Sequence, residues 1–247
     1  MVILFIVSTY VHNPKKNQLQ SLGSSTFRGL VLFEKAHHAN QSRPDEEYVS
    51  LLFSRDIKNP IPLSGWYIQG SRGVPKLIPA ASILPHQGGP NETGDIKVWG
   101  GERVIIISGH SPIGVSFRTN ICSGFLDQFQ KFNPPLGNTC PFFADVVAEE
   151  YDSVVSGACL ETAKEIPRCD ALIGGDDKPP IQTKGCREFL EETLSYNSCI
   201  AVLKEKPNFL GNEWRVYLDS DTELWRDRGD TIRLFDESGS IVTTLRY

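Results

Sequence analysis

Six cysteines are the residues most able to do chemistry here: Cys122, Cys140, Cys159, Cys169, Cys186 and Cys199 all fall within 78 consecutive positions, and the flanking 121 and 48 residues contain none. Neighbours in this series are ten to nineteen residues apart, so no pair has the short spacing of a zinc chelate, and His12, His37, His38, His86 and His110 all lie outside the cluster. An even number of cysteines at these separations suits disulfides, which persist in an oxidising compartment, and the chain is therefore expected to be exported. A pure thiolate metal site and six buried reduced thiols are the alternatives. Elsewhere, His110 adjoins Ser111, but neighbouring residues on a strand face opposite sides and cannot share a proton there. Asp219, Asp221 and Glu223 alternate with Ser220 and Thr222 and, with Asp227, offer oxygen ligands to Ca²⁺, a weak candidate without the glycine and bidentate glutamate of a calcium loop. Arg226, Arg228 and Arg233 are expected to pair with these acids. Asn40-Gln41-Ser42 and Asn91-Glu92-Thr93 match glycosylation sequons. No nucleophile elbow, zinc-protease helix, phosphate loop or dinucleotide fingerprint occurs, so the chain is read as no enzyme, with no cofactor and no firm metal site.

These residues sit in a chain of 247, 40% hydrophobic and 22% charged, enough for a sizeable core and too balanced for disorder. The 21 glycines and 16 prolines imply many turns and argue against a helical bundle. A net charge of −5 has the wrong sign for a protein whose main work is neutralising phosphates, and no nucleic-acid partner is expected. Met1 to Val11 is an apolar run shorter than the ~20 residues of a membrane-spanning helix. Lys15 and Lys16 follow this run rather than precede it, which suits a clipped signal anchor and possible membrane anchoring. An exposed first strand is the alternative. The polar stretch to Ser25 reads as a linker.

From Phe27 onward the pattern is that of strands: residues 28–33, 47–53, 66–68, 103–107 and 114–117, each bounded by Gly, Pro or Ser turns. The signal returns at 214–218, 231–235 and 241–245, the last two joined by the turn Asp236-Glu237-Ser238-Gly239. In between, Tyr151, Val154, Val155, Ala158, Thr162 and Ile166 follow one face of a helix that Pro167 should stop, and Cys186, Phe189, Leu190 and Leu194 repeat the spacing. The expected architecture is mainly β, a sandwich interrupted by a small disulfide-stapled helical insertion too small to bury a core alone. The divisions are 1–25 (apolar segment and linker), 26–124 (first part of the sandwich), 125–207 (insertion) and 208–247 (closing strands).

Pro62-Leu63-Ser64-Gly65-Trp66, preceded by Glu46-Glu47-Tyr48-Val49 and followed by Gly100-Gly101-Glu102-Arg103-Val104-Ile105-Ile106, resembles the lamin tail domain, an immunoglobulin-like β-sandwich. Gly229-Asp230-Thr231-Ile232-Arg233-Leu234-Phe235-Asp236-Glu237-Ser238-Gly239 matches its closing element, and the likeness covers about 140 residues in two blocks. Ser50 replaces the second acid of the early strand, and Gly100 replaces the turn proline. The motif residues have structural reasons. Leu63 and Trp66 are core anchors flanking a turn in which Gly65 takes positive φ, and Trp66 is expected between the sheets against the Val104–Ile107 strand. Asp230 is read as a turn residue. The cysteine-rich interruption resembles a segment carried by exported bacterial lamin-tail proteins.

Two functions compete. The first is a non-catalytic envelope or surface module, extracytoplasmic, that binds a protein or surface polymer through its loops and insert, with the loop at Asp176, Asp177 and Lys178 as the expected contact. The alternative is a carbohydrate-binding or glycan-hydrolysing exported protein, favoured by Trp99, Trp225, Tyr67 and Tyr151 as exposed aromatics. Treating the insert as an antiparallel helical hairpin favours the pairs Cys122–Cys140, Cys159–Cys199 and Cys169–Cys186 among the fifteen possible sets.

Overall fold

The computed structural model describes residues 24–37, 43–142, 156–170 and 183–247. In chain order its strands are β1 (Val31–His37), β2 (Tyr48–Phe53), β3 (Ile61–Pro62), β4 (Tyr67–Gln69), β5 (Lys76–Leu77), β6 (Lys97–Val98), β7 (Arg103–Ile107), β8 (Phe117–Asn120), β9 (Leu210–Tyr217), β10 (Thr231–Phe235) and β11 (Ile241–Arg246). Among the described residues, the helices α1 (Gly157–Lys164), α2 (Lys184–Thr193) and α3 (Tyr196–Leu203) lie between β8 and β9. One sheet has the order β1-β2-β7-β9-β8, antiparallel except where β7 runs parallel to β9, a second has the order β11-β10-β4-β5, and β3 and β6 form a small two-stranded sheet. The protein is thus a β-sandwich with a helical insertion.

The expected strands at 103–107 and 231–235 match residue for residue, because turn residues bound a continuous apolar run in the first and alternating apolar positions in the second. The Asp236 turn closes as expected: its carboxylate accepts from the Ser238 and Ser240 amides at 2.9 and 3.0 Å. The first strand begins three residues later than expected, because residues 25–30 form tight turns closed by Arg28 N–H to Ser25 O and Leu30 N–H to Phe27 O.

Leu63 and Trp66 are buried as anchors, Trp66 at 1% exposure with the Phe27 ring 5.1 Å away. Gly65 takes φ +85°, and the Ser64 hydroxyl ties the turn to Pro79 O and Ile96 N–H. Gly100 stands where the turn proline was expected, because a Cβ there would come within 2.9 Å of the Ser54 and Ile57 carbonyl oxygens.

The insertion leaves and returns through neighbouring strands: Asn120 pairs with Leu210, and Ile121 N–H bonds Phe209 O at 3.0 Å. It grows from a β-hairpin and folds back over the outer face of the five-stranded sheet. Successive residues of β7 consequently enter different cores. Val104 and Ile106 join Trp66, Trp214, Val216, Ile232 and Leu234 between the sheets, while Ile105 and Ile107 join Tyr217, Phe117, Phe125, Leu190 and Tyr196 beneath the insertion. This is why β7 reads as a continuous apolar run rather than an alternation. Each buried isoleucine contributes roughly 1.5–3 kcal/mol.

All six cysteines pair, but as Cys122–Cys199, Cys140–Cys169 and Cys159–Cys186, with Cα–Cα distances of 5.9, 5.2 and 5.6 Å. None of the three expected pairs forms. Among the described residues the two-helix hairpin behind that expectation is replaced by α1, α2 and α3. Thr183 and Ser195 cap separate helices by accepting from the Cys186 and Ser198 amides, and Leu194 leaves helical geometry between them. The break turns α3 back toward the root of the insertion, where Cys199 meets Cys122. Cys169 lies in a left-handed turn at φ +60° beyond α1 and faces Cys140, which leaves Cys159 of α1 to bridge to Cys186 of α2. The expected first-helix residues Tyr151, Val154 and Val155 lie outside the described residues. Three disulfides point to an oxidising, extracytoplasmic setting. No helix among the described residues is long and apolar enough to cross a membrane.

Candidate functional site

Polar chemistry gathers at one pole of the sandwich, where the segments 44–47, 70–72, 108–112 and 218–230 meet. Backbone bonds build the platform: Ser108 N–H to Glu47 O, Ser220 N–H to Ser108 O and Asp219 N–H to Gly109 O, at 2.9–3.1 Å. At its centre the buried Glu47 carboxylate accepts from the Ser108 hydroxyl, from the Leu224 N–H at 2.7 Å and from the Trp225 N–H at 3.3 Å. Burial pushes its pKa up to about 7, against those three donors, and the Glu223 charge adds to the rise. Glu223, also buried, pairs with Arg72 at 2.6 Å. Its Oε1 and the Trp225 Nε1 are buried and find no hydrogen-bond partner among the described residues. Asp230 accepts from the Ser71 N–H at 3.0 Å, the Arg226 N–H at 2.7 Å and the Thr231 N–H. Burial raises its pKa, but these bonds outweigh it and hold the carboxyl below its ordinary value. Asp230 is therefore the turn residue expected.

On the surface of the same pole the His110 ring lies between Asp219, 3.4 Å from Nδ1, and Asp221, 3.1 Å from Nε2, while its backbone N–H donates to Asp45 at 2.8 Å. The Asp221 hydrogen bond, aided by Asp219, raises its pKa. Ser111 turns away and donates its hydroxyl to Val115 O at 2.7 Å, so the sequence neighbours His110 and Ser111 form no nucleophile pair. The calcium candidate does not assemble, because Asp219 and Asp221 flank the histidine on the surface whereas Glu223 is buried against Arg72. No group of three His, Cys, Asp or Glu side chains among the described residues has the geometry to hold a metal ion. Arg72, far away in sequence, takes the place expected of Arg226, Arg228 or Arg233 at Glu223.

The exposed-aromatic expectation divides. Trp99 is 49% exposed, Tyr67 is half-buried and Trp225 is fully buried. Tyr151 lies outside the described residues, as do the loop at Asp176, Asp177 and Lys178, the apolar segment from Met1 to Val11 and the Asn40 sequon.

A second surface lies on the insertion, where two adjoining grooves of about 460 and 360 Å³ share Asp127 and Gln128. Phe129, 56% exposed, and Lys131 line the first, and Asn138, Arg168 and Cys169 line the second. The surface is stiff. Cys140–Cys169 runs beneath it, Asp127 accepts from the Leu136 N–H at 2.6 Å, and the buried Arg215 guanidinium donates to the Pro134 and Pro135 carbonyls. The Arg168 guanidinium stacks 3.9 Å from the Phe142 ring centre.

Sequence reasoning missed the buried carboxylates. Glu47 stood in the motif as the opening residue of an early strand and Glu102 as a turn residue, yet each is a hub. Glu102 pairs with Arg118 and accepts from the Trp99 N–H at 3.0 Å and the Trp214 indole at 3.2 Å. The available signal was a glutamate directly abutting an apolar strand at both places. Glu47→Gln should lower stability by about 2 kcal/mol, since an amide nitrogen must then face one of the two buried N–H donors. Urea unfolding at pH 6 measures this, and an unchanged midpoint would show that the carboxylate is not the acceptor described.

No family model, curated protein or solved structure matches the chain.

Proposed function

We propose that the protein is a non-catalytic interaction module of the lamin-tail type, an immunoglobulin-like sandwich working at the cell envelope or surface, whose stapled insertion supplies the binding face. The observation that carries this reading is the groove across Asp127, Gln128 and Phe129, on a segment braced by disulfides and by Arg215. A stiff platform loses little conformational entropy on binding, and a half-exposed aromatic amid amides and paired charges suits recognition of a protein or polymer. The acidic and histidine side chains of the sandwich pole serve loops and turns, which favours binding over catalysis. The motif residues Leu63, Trp66 and Asp230 support the lamin-tail assignment through their core and turn positions.

A carbohydrate ligand is the second reading, favoured by Phe129 in a groove that also holds Asn133 and, in its neighbour, Asn138. Binding of immobilised envelope polysaccharide and of surface-protein extracts tests both. The double substitution Phe129→Ala and Arg168→Ala should weaken capture by at least tenfold, whereas Trp99→Ala should leave it unchanged. Equal capture by all variants would remove the insertion as the binding face. Hydrolysis of a glycan or peptide library, lost on replacing one carboxylate, would overturn the non-catalytic reading.

A further inference from the structure

We propose that residues 218–230 form a pH-dependent latch, closed in acid and loosened toward neutral pH by two titrating groups, Glu47 beneath the segment and His110 on its outer side. The inference is independent of the role assigned to the insertion.

The geometry places both groups on the same segment. Glu47 holds the Leu224 and Trp225 amides from below, and His110 bridges Asp219 and Asp221 from outside. The donors to Glu47 are a neutral hydroxyl and two neutral amides, and the nearby charge of Glu223, neutralised by Arg72, has the same sign as its own. Ionised Glu47 is thus a buried charge to which no cation among the described residues is bonded, which favours states in which water reaches it. Glu223 Oε1 and Trp225 Nε1 lie on the same segment with no hydrogen-bond partner among the described residues, and they gain hydrogen bonds to solvent when it lifts.

Both titrations act in one direction. Glu47 has a closed-state value of about 7 against an ordinary 4.5, so the closed state binds the extra proton. Its contribution is fully present below pH 4.5 and is lost as pH rises to about 7. His110 is also raised, from 6.5, and its contribution is present below that value and lost as pH rises through the closed-state value. Asp230 opposes them, but its depressed value confines it to the range below 3.8. Glu46, lowered by Lys131 and Arg43, acts only below 4.5. The remaining charges facing the two groups are Asp45, Arg72, Asp219, Asp221 and Glu223. Tyr247, whose phenol bonds Arg226 O at 2.8 Å, has its pKa raised above its ordinary value by burial and by the Asp230 and Glu47 charges, outside the window.

Hydrogen exchange on the whole chain, corrected for intrinsic rates, tests the latch through the opening constant of the peptide covering 218–230, with β7 as internal reference. Between pH 5.0 and 7.5 that constant should rise at least tenfold while β7 stays level. Glu47→Gln should cut the rise to less than roughly threefold. His110→Gln, a surface change that spares the core, should reduce the part of the rise above pH 6.5 and leave the part due to Glu47. Wild-type opening constants within twofold of one another across this range, or a rise retained in full by both variants, would overturn the proposal.

Discussion

Replacing Cys122 and Cys199 together by serine is expected to destabilise the protein by about 4 kcal/mol, the largest single effect of any disulfide here. The bond closes a loop of 77 residues, against 29 and 27 for the other two, and the entropy removed from the unfolded chain grows with loop length. Both other bridges lie inside that loop and shorten its free contour, which holds the effect below the roughly 4.5 kcal/mol of an unbridged loop of this length. The loss should appear first in the insertion, because Cys122 and Cys199 join its root at β8 to its last helix, and both belong to the core beneath it. Urea unfolding followed by helical circular dichroism measures the effect. In the parent protein, thiol titration after denaturation without reductant should find no free thiol, and non-reducing digestion should leave the Cys122 and Cys199 peptides joined. A change under 1 kcal/mol, or peptides joined in another pattern, would refute this connectivity.

Trp66→Ala is expected to cost about 3–5 kcal/mol through the cavity it leaves. The indole is 1% exposed, tilts against Phe27 and fills the inter-sheet space shared with Val104, Ile106 and Trp214. Neighbouring strands cannot collapse into the gap, because β7 is also held on its other face by the insertion. For a chain of this size the melting temperature should fall by about 10 °C. A shift of less than 2 °C would mean that the indole is not packed as described. The two variants also separate the cores: Trp66→Ala acts between the sheets, whereas loss of Cys122–Cys199 acts beneath the helices.

Much of the fold is written in short-range pattern. The apolar runs of β7 and β10, the Asp236 turn, the buried Leu63 and Trp66, and the helical segment between two late strands were all legible. Each depends on neighbours within a few residues: alternation, turn chemistry, or a serine and glycine before an indole. The cysteines likewise announced that they pair, since their number and spacing excluded the common chelates.

Other features depend on which distant surfaces meet, and only the tertiary structure decided them. Connectivity turned on Ser195 starting a new helix, which brought Cys199 back over 77 residues to Cys122. Trp225 resembled an exposed aromatic in sequence but is buried, because Glu47, 178 residues away, draws its amide into the pole. Glu223 resembled a cation ligand until Arg72, 151 residues away, took its charge. Glu47 itself looked like the opening residue of a strand. A carboxylate's burial is set by the segments that close over it, and for Glu47 those segments include 218–230, whose approach no local period records.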